Sequence, residues 1–167
     1  VMGHPMVEVG WNPETRDFRD AHDRPIRNAF KLYPWEDMLR EPYARHLPGS
    51  ATLFLEPAWK AILSNKGILP LLWQRHPGHP NLLPAAFADD PAGLASIGSR
   101  HVRKPLFSRE GWDVELVAGA DSAHGPAGGY GEEGHIVQAF APLPVFGGLH
   151  AVVGSWIVGD DPVALSV

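Results

Sequence analysis

Glu56–Trp73 reads EPAWKAILSNKGILPLLW, two apolar runs on either side of an Asn65-Lys66-Gly67 turn. The first run starts at Pro57 and carries Trp59, Ile62 and Leu63, which predicts a short helix. Ser64-Asn65 stops it and can cap the element that follows. The second run holds Ile68, Leu69, Leu72 and Trp73. Pro70 would cost about 3 kcal/mol at an interior helical position. The second helix is therefore predicted to begin near Gly67, with Pro70 in its first turn. Lys66 then stands at a helix N-terminus between apolar anchors. Backbone N–H groups point outward there, so an anion site is expected.

Working outward, Val7–Val9 reads as a short strand, and Asn12–Asn28 as a polar stretch with a turn at Asp23-Arg24-Pro25. Asp17, Asp20 and Asp23 are expected on a solvated loop. Phe30–Tyr33 is expected to form a strand ending at Pro34. A helix is then predicted from Pro34-Trp35-Glu36 to about His46, with proline and an acidic residue suiting its first turn. Ala51–Leu55 (ATLFL) reads as a short buried strand. Pro77–Arg100 is rich in Pro, Gly and Ala and predicts an irregular excursion with one short helix. Strands are expected at His101–Pro105, Val114–Val117, His135–Phe140 and His150–Val158, the last one buried. Ala118–Gly134 holds six glycines in seventeen residues, which predicts a hairpin-like loop of low order. Trp35, Trp59, Trp73 and Trp156 are expected in the core.

Composition sets limits on function. The net charge is −5 and no basic block stands out, which argues against a nucleic-acid surface. No apolar run approaches the ~18 residues of a membrane span, and the start has no basic and apolar leader pattern. The absence of cysteine excludes disulfides and thiolate metal sites and fits a cytoplasmic location. The chain opens at Val1 and closes on an apolar Leu165-Ser166-Val167, so a fragment of a longer protein is expected.

Four groups of residues are candidates for chemistry. Lys66 and Lys104 are each surface lysines or anchored cations. Lys104 lies in a strand pattern just before Pro105 and a Gly-containing loop, and a strand lysine followed by a flexible loop suits a nucleoside triphosphate. Arg109-Glu110-Gly111 in that loop is either a turn with a surface ion pair, worth ~0–1 kcal/mol, or a phosphate-neutralising arginine beside a glycine of close approach. Neither a GxxxxGK[ST] loop nor a GxGxxG fingerprint is present. His76 and His79 lie three apart, but Pro77 and Pro80 break the helix that would align them on zinc, so a polar loop cap is the stronger reading. No G-x-S-x-G elbow exists, and Gly154-Ser155-Trp156 is read as core.

Six blocks in order are 30–38 (FKLYPWEDM), 56–73, 76–85 (HPGHPNLLPA), 102–114 (VRKPLFSREGWDV), 137–144 (VQAFAPLP) and 154–162 (GSWIVGDDP). Together they resemble the glutathionylspermidine synthase family, and most closely its stand-alone acid–amine ligase members. The likeness runs from about Asp17 to the end. It implies an α+β fold of the ATP-grasp type, here partial: an antiparallel sheet with flanking helices, lacking N-terminal and C-terminal portions. Within 1–167, residues 17–75 would be the helical, substrate-side part and 76–167 the nucleotide-binding lobe. The resemblance implies that Lys66 and Lys104 contact ATP phosphates, with Arg109, Glu110 and Gly111 on or beside the phosphate loop. It implies that Gln138, Ala139, Phe140 and Ala141 form the hinge strand at the adenine, and that Lys31 lies near the acyl and amine substrates. ATP and Mg2+ are the implied cofactors. The implied partners are a peptide-like or other carboxylate and a polyamine or other amine, joined as an amide through an acyl phosphate.

The chain departs from the family pattern in two places. The Arg-x-Asp and Glu-x-Asn motifs that supply a catalytic arginine and the magnesium ligands are expected upstream, so no metal ligand is assigned within this chain. The family also continues past GSWIVGD into a Gly-rich, Arg-containing segment. The expectation is a ligase fragment that does not ligate alone. The alternative is a nucleotide-binding module that kept the fold and lost the chemistry, and a third reading is a metal scaffold built on the histidines.

Overall fold

In the computed structural model, which describes residues 8–166, the N-terminal segment builds its own small aromatic core. Gly10–Asn12 (β1) and Asp17–Arg19 (β2) pair antiparallel, and the predicted strand at 7–9 lies partly outside the described residues. Phe18 is buried, with its ring edge-on to Trp11 at 5.1 Å and to Phe54 at 5.7 Å. Trp35 adds a further edge contact with Phe54 at 5.7 Å. Buried Thr52 ties the layers together: its hydroxyl accepts the Phe18 N–H at 3.1 Å and donates to the Ile26 carbonyl at 2.7 Å.

Asn28–Phe30 (β3) and Leu53–Leu55 (β4) pair parallel. The strand expected at Phe30–Tyr33 therefore lies earlier and stops before Lys31, whose ammonium is drawn into a separate polar cluster. In β4 only Phe54 faces inward; Leu53 is 61% and Leu55 50% exposed, so the segment is not the buried strand its composition suggests. The helix expected to run to His46 is a single turn, Trp35–Met38 (α1), followed by a 3-10 segment at Pro42–His46. The break has a local cause. Glu41 precedes proline, which disfavours helical backbone, and it sits extended at φ −77° and ψ 155°.

Asp20 also departs from its expected solvated loop. It is buried, and its carboxylate accepts the N–H groups of His22 and Arg24 and the Arg24 guanidinium at 2.8 Å. Foremost the Arg24 side chain, then these backbone donors, hold its carboxyl down at about 2, against an ordinary 3.8. A depressed carboxyl contributes stability above its unfolded value and loses it as pH falls towards the folded value. Asp20→Asn should therefore flatten the decline of melting temperature between pH 3.8 and about 2, as followed by circular dichroism.

The second half carries a five-stranded antiparallel sheet. Its order is Ala85–Phe87 (β5), His135–Ala139 (β9), His101–Pro105 (β6), Glu115–Val117 (β7) and Ala123–His124 (β8). Ala85, Ala86, Ile136 and Val137 form its buried centre, with Ile136 fully enclosed. Ala61–Ser64 (α2) precedes Ile68–Arg75 (α3), and α3 lies against β5. Pro91–Leu94 (α4) is capped by Asp90, whose carboxylate accepts the Gly93 N–H. The sheet and flanking helices make an α+β fold.

The expected strand at His150–Val158 is split. Val145–Phe146 (β10) pairs with Leu149–His150 (β11), and Gly154–Val158 (β12) pairs with Asp161–Ser166 (β13) with a bulge at Trp156/Ile157. Neither hairpin is buried: Trp156 is 64% exposed. Trp59 is 58% exposed as well, so of the four tryptophans only Trp35 is in the core, with Trp73 half-buried. The apolar side chains of β12 and of Trp59–Leu63 meet no covering layer among the described residues.

Candidate functional site

The predicted turn at Asn65-Lys66-Gly67 forms, and α3 starts where Pro70 requires, with Gly67 as its N-cap and Pro70 fully buried in the first turn. The turn is bound to the sheet: the Lys66 N–H donates to the Leu106 carbonyl at 2.9 Å. A Cβ on Gly67 would come within 2.9 Å of Asn65 Oδ1, 3.2 Å of the Phe87 ring and 3.3 Å of Leu106, so glycine is what fits. The N–H groups at the helix start are not open to an anion. Gly67 donates to Asn65 Oδ1, Ile68 to the Asn65 carbonyl and Leu69 to that of Lys66. The expected backbone anion site is thus closed by Asn65, and any anion must be met by side chains.

Those side chains converge. Lys66 Nζ donates to the Ser108 carbonyl at 2.8 Å and its hydroxyl at 3.0 Å, in the loop after β6. In the β6–β9 ladder Lys104 lies opposite Ile136 and Val102 opposite Gln138, so Lys104 and Gln138 are diagonal neighbours on one face. Lys104 Nζ donates to Gln138 Oε1 at 2.8 Å. Burial holds both lysines below their ordinary 10.5, and Lys66 is pushed further by the neighbouring charges of Lys104 and Arg109. Three cations thus share one end of the sheet, and among the described residues the two lysines bond to neutral oxygens.

The loop that follows β6 is a hydrogen-bonded turn. Trp112 N–H donates to the Arg109 carbonyl and Val114 N–H to that of Gly111, while Glu110 and Gly111 take positive φ angles of 50° and 79°. The glycine-rich 118–134 segment is more ordered than its composition suggests. It contains β8, and the Asp113 carboxylate accepts the N–H groups of Gly128 and Tyr130 at 3.0 and 2.7 Å. Arg109 reaches across to pair with Glu36 of α1, and Arg40 pairs with Glu133. Between these pairs lies a cleft of about 260 Å³, walled by Phe107 and Tyr130. It meets the cation cluster at Arg109 alone; Lys66 and Lys104 do not line it.

The expected hinge residues take defined places. Gln138 is buried with its amide oxygen committed to Lys104. Ala139 N–H donates to the Pro84 carbonyl at 2.8 Å and Phe140 N–H to Arg100 at 3.2 Å. The Phe140 ring carries the Arg100 guanidinium at 5.2 Å, and Ala141 is exposed just past the sheet. Lys31 is apart from this cluster. Its ammonium donates to Glu56 Oε2 at 3.0 Å and the Tyr33 carbonyl at 3.2 Å, and lies 4.2 Å over the Trp35 ring. Lys31 and Glu56 each follow directly on the parallel strands β3 and β4, and Glu56 holds a strained φ of 75°.

Sequence reasoning missed Glu36, Glu133, Ser108 and Glu56. Glu36 was legible only as an acidic residue in a helix's first turn; its partner Arg109 lies 73 residues away. The histidine metal reading finds no support. His79 Nδ1 accepts the Asn81 N–H at 3.2 Å as a loop cap. Among the described residues no group of three His, Asp or Glu side chains is placed to hold a metal ion. No helix among them is long and apolar enough to cross a membrane.

Comparison with known proteins agrees with the motif reading. The family model described as glutathionylspermidine synthase preATP-grasp matches residues 1–167. The chain is 43% identical over 161 residues to a Haemophilus influenzae protein that bears the name acid–amine ligase, covering 93% of this chain and 40% of the relative. It is 31% identical to trypanothione synthetase of Crithidia fasciculata, covering 81% of this chain and 24% of that protein. It is 27% identical to the bifunctional glutathionylspermidine synthetase/amidase of Escherichia coli, covering 93% of this chain and 28% of that protein. The chain belongs to the glutathionylspermidine synthase family and spans well under half the length of these relatives.

Proposed function

We propose that this chain is the phosphate-holding part of an ATP-dependent carboxylate–amine ligase with ATP-grasp architecture. The observation that carries the reading is the gathering of Lys66, Lys104 and Arg109 at one end of the sheet, where both lysines are held below their ordinary value. Like charges packed together are relieved by a polyanion, so this set fits a triphosphate chain. When bound, ATP would supply the phosphoryl group that turns a carboxylate into an acyl phosphate with a good leaving group.

The chain's own residues hold and screen. Lys66 and Lys104, fixed by Ser108 and Gln138, would grip phosphate oxygens with preset geometry, so little ordering is left for the moment of reaction. Arg109 would exchange Glu36 for phosphate. The N–H groups of Ala139 and Phe140 are already donated, so a base would be met by the Ala141 N–H and by a backbone carbonyl of the Gln138–Ala141 segment. For Mg2+ the residues present do not suffice, because no acidic cluster among those described is placed to bind a metal. Lys31, clamped by Glu56 and Trp35, would mark the carboxylate and amine side.

The test is equilibrium binding of a non-hydrolysable ATP analogue, with phosphate release as the second readout. Analogue binding with no ligation by the 167-residue chain is expected, and release coupled to amide formation is expected only from a longer natural polypeptide that contains it. Absence of analogue binding from both would overturn the reading. Binding without release from both would favour the alternative, a nucleotide-binding module without catalysis.

A further inference from the structure

We propose that Ser108 is a phosphoryl acceptor: its hydroxyl takes the γ-phosphoryl group of ATP, and the phosphoserine then fills the phosphate seat from within the chain. This rests on the nucleotide reading of Lys66, Lys104 and Arg109 set out above.

The geometry starts from one ammonium. Lys66 Nζ donates to the Ser108 carbonyl at 2.8 Å and to the Ser108 hydroxyl at 3.0 Å. An ammonium has three N–H donors, so one is left for a phosphate oxygen. A γ-phosphate gripped by Lys66 is therefore a neighbour of the Ser108 hydroxyl, and such proximity is what a transfer needs. The same two bonds fix Ser108 at its backbone and its side chain together. Because Oγ accepts from Lys66 with one lone pair, the other is free for phosphorus. Among the described residues Ser108 carries the one hydroxyl bonded to the three cations, since Lys104 is held by Gln138 and Arg109 by Glu36.

The loop around Ser108 supplies further donors. The N–H groups of Phe107, Ser108, Arg109, Glu110 and Gly111 have no acceptor among the described residues. The start of α3 is the opposite case, with its N–H groups taken by Asn65 and Lys66. A phosphoryl group on Ser108 brings a charge of about −2 and three strong acceptor oxygens. It would meet the open loop N–H groups, the Lys66 ammonium and, in exchange for Glu36, the Arg109 guanidinium.

The step balances without a further reactant. The bond from Ser108 Oγ to the γ-phosphorus forms as the bond from that phosphorus to the β,γ-bridging oxygen breaks. ADP leaves with the electron pair, and the hydroxyl proton passes to solvent. Lys66 acts as a charged positioning group and not as a base, because phosphoryl transfer depends mainly on alignment and charge stabilisation. The phosphoserine then competes with a second nucleotide for the same cations, so the site brakes itself.

The experiment incubates the 167-residue chain, and a longer natural polypeptide that contains it, with magnesium and ATP, and maps phosphate by mass spectrometry. One acid-stable phosphoryl group is expected, on Ser108, at a rate independent of protein concentration. Ser108→Thr, which keeps a hydroxyl, should take the label, and Ser108→Ala should not. The phosphorylated protein should bind a non-hydrolysable ATP analogue roughly 10- to 100-fold more weakly, the loss expected when Lys66 is taken from the nucleotide. Phosphatase treatment should restore the affinity. Analogue binding with no phosphoserine in either protein would overturn the proposal and leave the nucleotide reading standing. Labelling whose rate climbs with protein concentration would also overturn it, because one molecule would then be acting on another. Unchanged analogue affinity after phosphorylation would remove Ser108 from the phosphate seat. Failure of the analogue to bind would sink both readings.

Discussion

Lys66→Ala and Lys104→Ala should each weaken binding of an ATP analogue by roughly 10- to 100-fold. A charge-assisted hydrogen bond is worth about 1.5–3 kcal/mol, and each 1.4 kcal/mol is a factor of ten. The double variant should lose less than the product of the two, because Lys66 and Lys104 repel each other and removing one eases the other. The pH dependence is distinctive. Phosphate binds the charged lysines, and burial holds both below 10.5. Affinity should therefore begin to fall at a lower pH than ordinary lysines would give. The stability sign is opposite. The unfolded chain keeps its lysine protons up to 10.5, so the cost of burying the charges is fully present below the lowered folded values and is relieved as pH rises from there towards 10.5. Calorimetric titration at a series of pH values checks the first effect, and thermal unfolding over the same range checks the second. Equal affinities for wild type and both variants would remove the lysines from the site.

What was legible in the sequence was local. Pro70 and the Asn65-Lys66-Gly67 turn set the start of α3 through rules that act within a few residues. The strand character of His101–Pro105 placed Lys104 on a pleated surface. The helix predicted to His46 failed because one residue, Glu41, is shaped by the proline after it. Burial was less legible, since it depends on what lies opposite. Trp59 and Trp156 have core chemistry, but among the described residues no layer covers them. Long-range pairing was not legible at all. Gln138 could be placed on a strand, but its antiparallel register with Val102 is what brings its amide to Lys104. Glu36 and Arg109 are joined only because α1 docks beside the loop after β6.

Gly125→Ala should lower stability by about 1–3 kcal/mol and disturb the Arg109 loop, although residue 125 bears no side chain that could touch a ligand. A Cβ at this position would overlap the Gly111 carbonyl and come within 3.4 Å of the Val114 carbonyl, and both are backbone atoms that cannot rotate aside. Local hydrogen bonds lock the approach. Gly125 N–H donates to the Val114 carbonyl at 2.7 Å and Asp113 N–H to Pro126 at 2.9 Å, extending the β7–β8 pairing up to the turn. Residue 125 does not take a positive φ, so the cost is steric and not conformational. Relief must come from moving Gly111 outward, and Gly111 is two residues from Arg109. For a chain of this length the penalty corresponds to roughly 2–4 °C of melting temperature per kcal/mol. The control is Gly98→Ala, where a Cβ meets nothing within 4 Å and the φ is ordinary. That change should stay within about 0.5 kcal/mol of wild type. Thermal unfolding of both variants, with ATP-analogue affinity beside it, separates the outcomes. A Gly125→Ala protein with unchanged melting temperature and affinity would show that the loop holding Arg109 does not depend on this backbone contact.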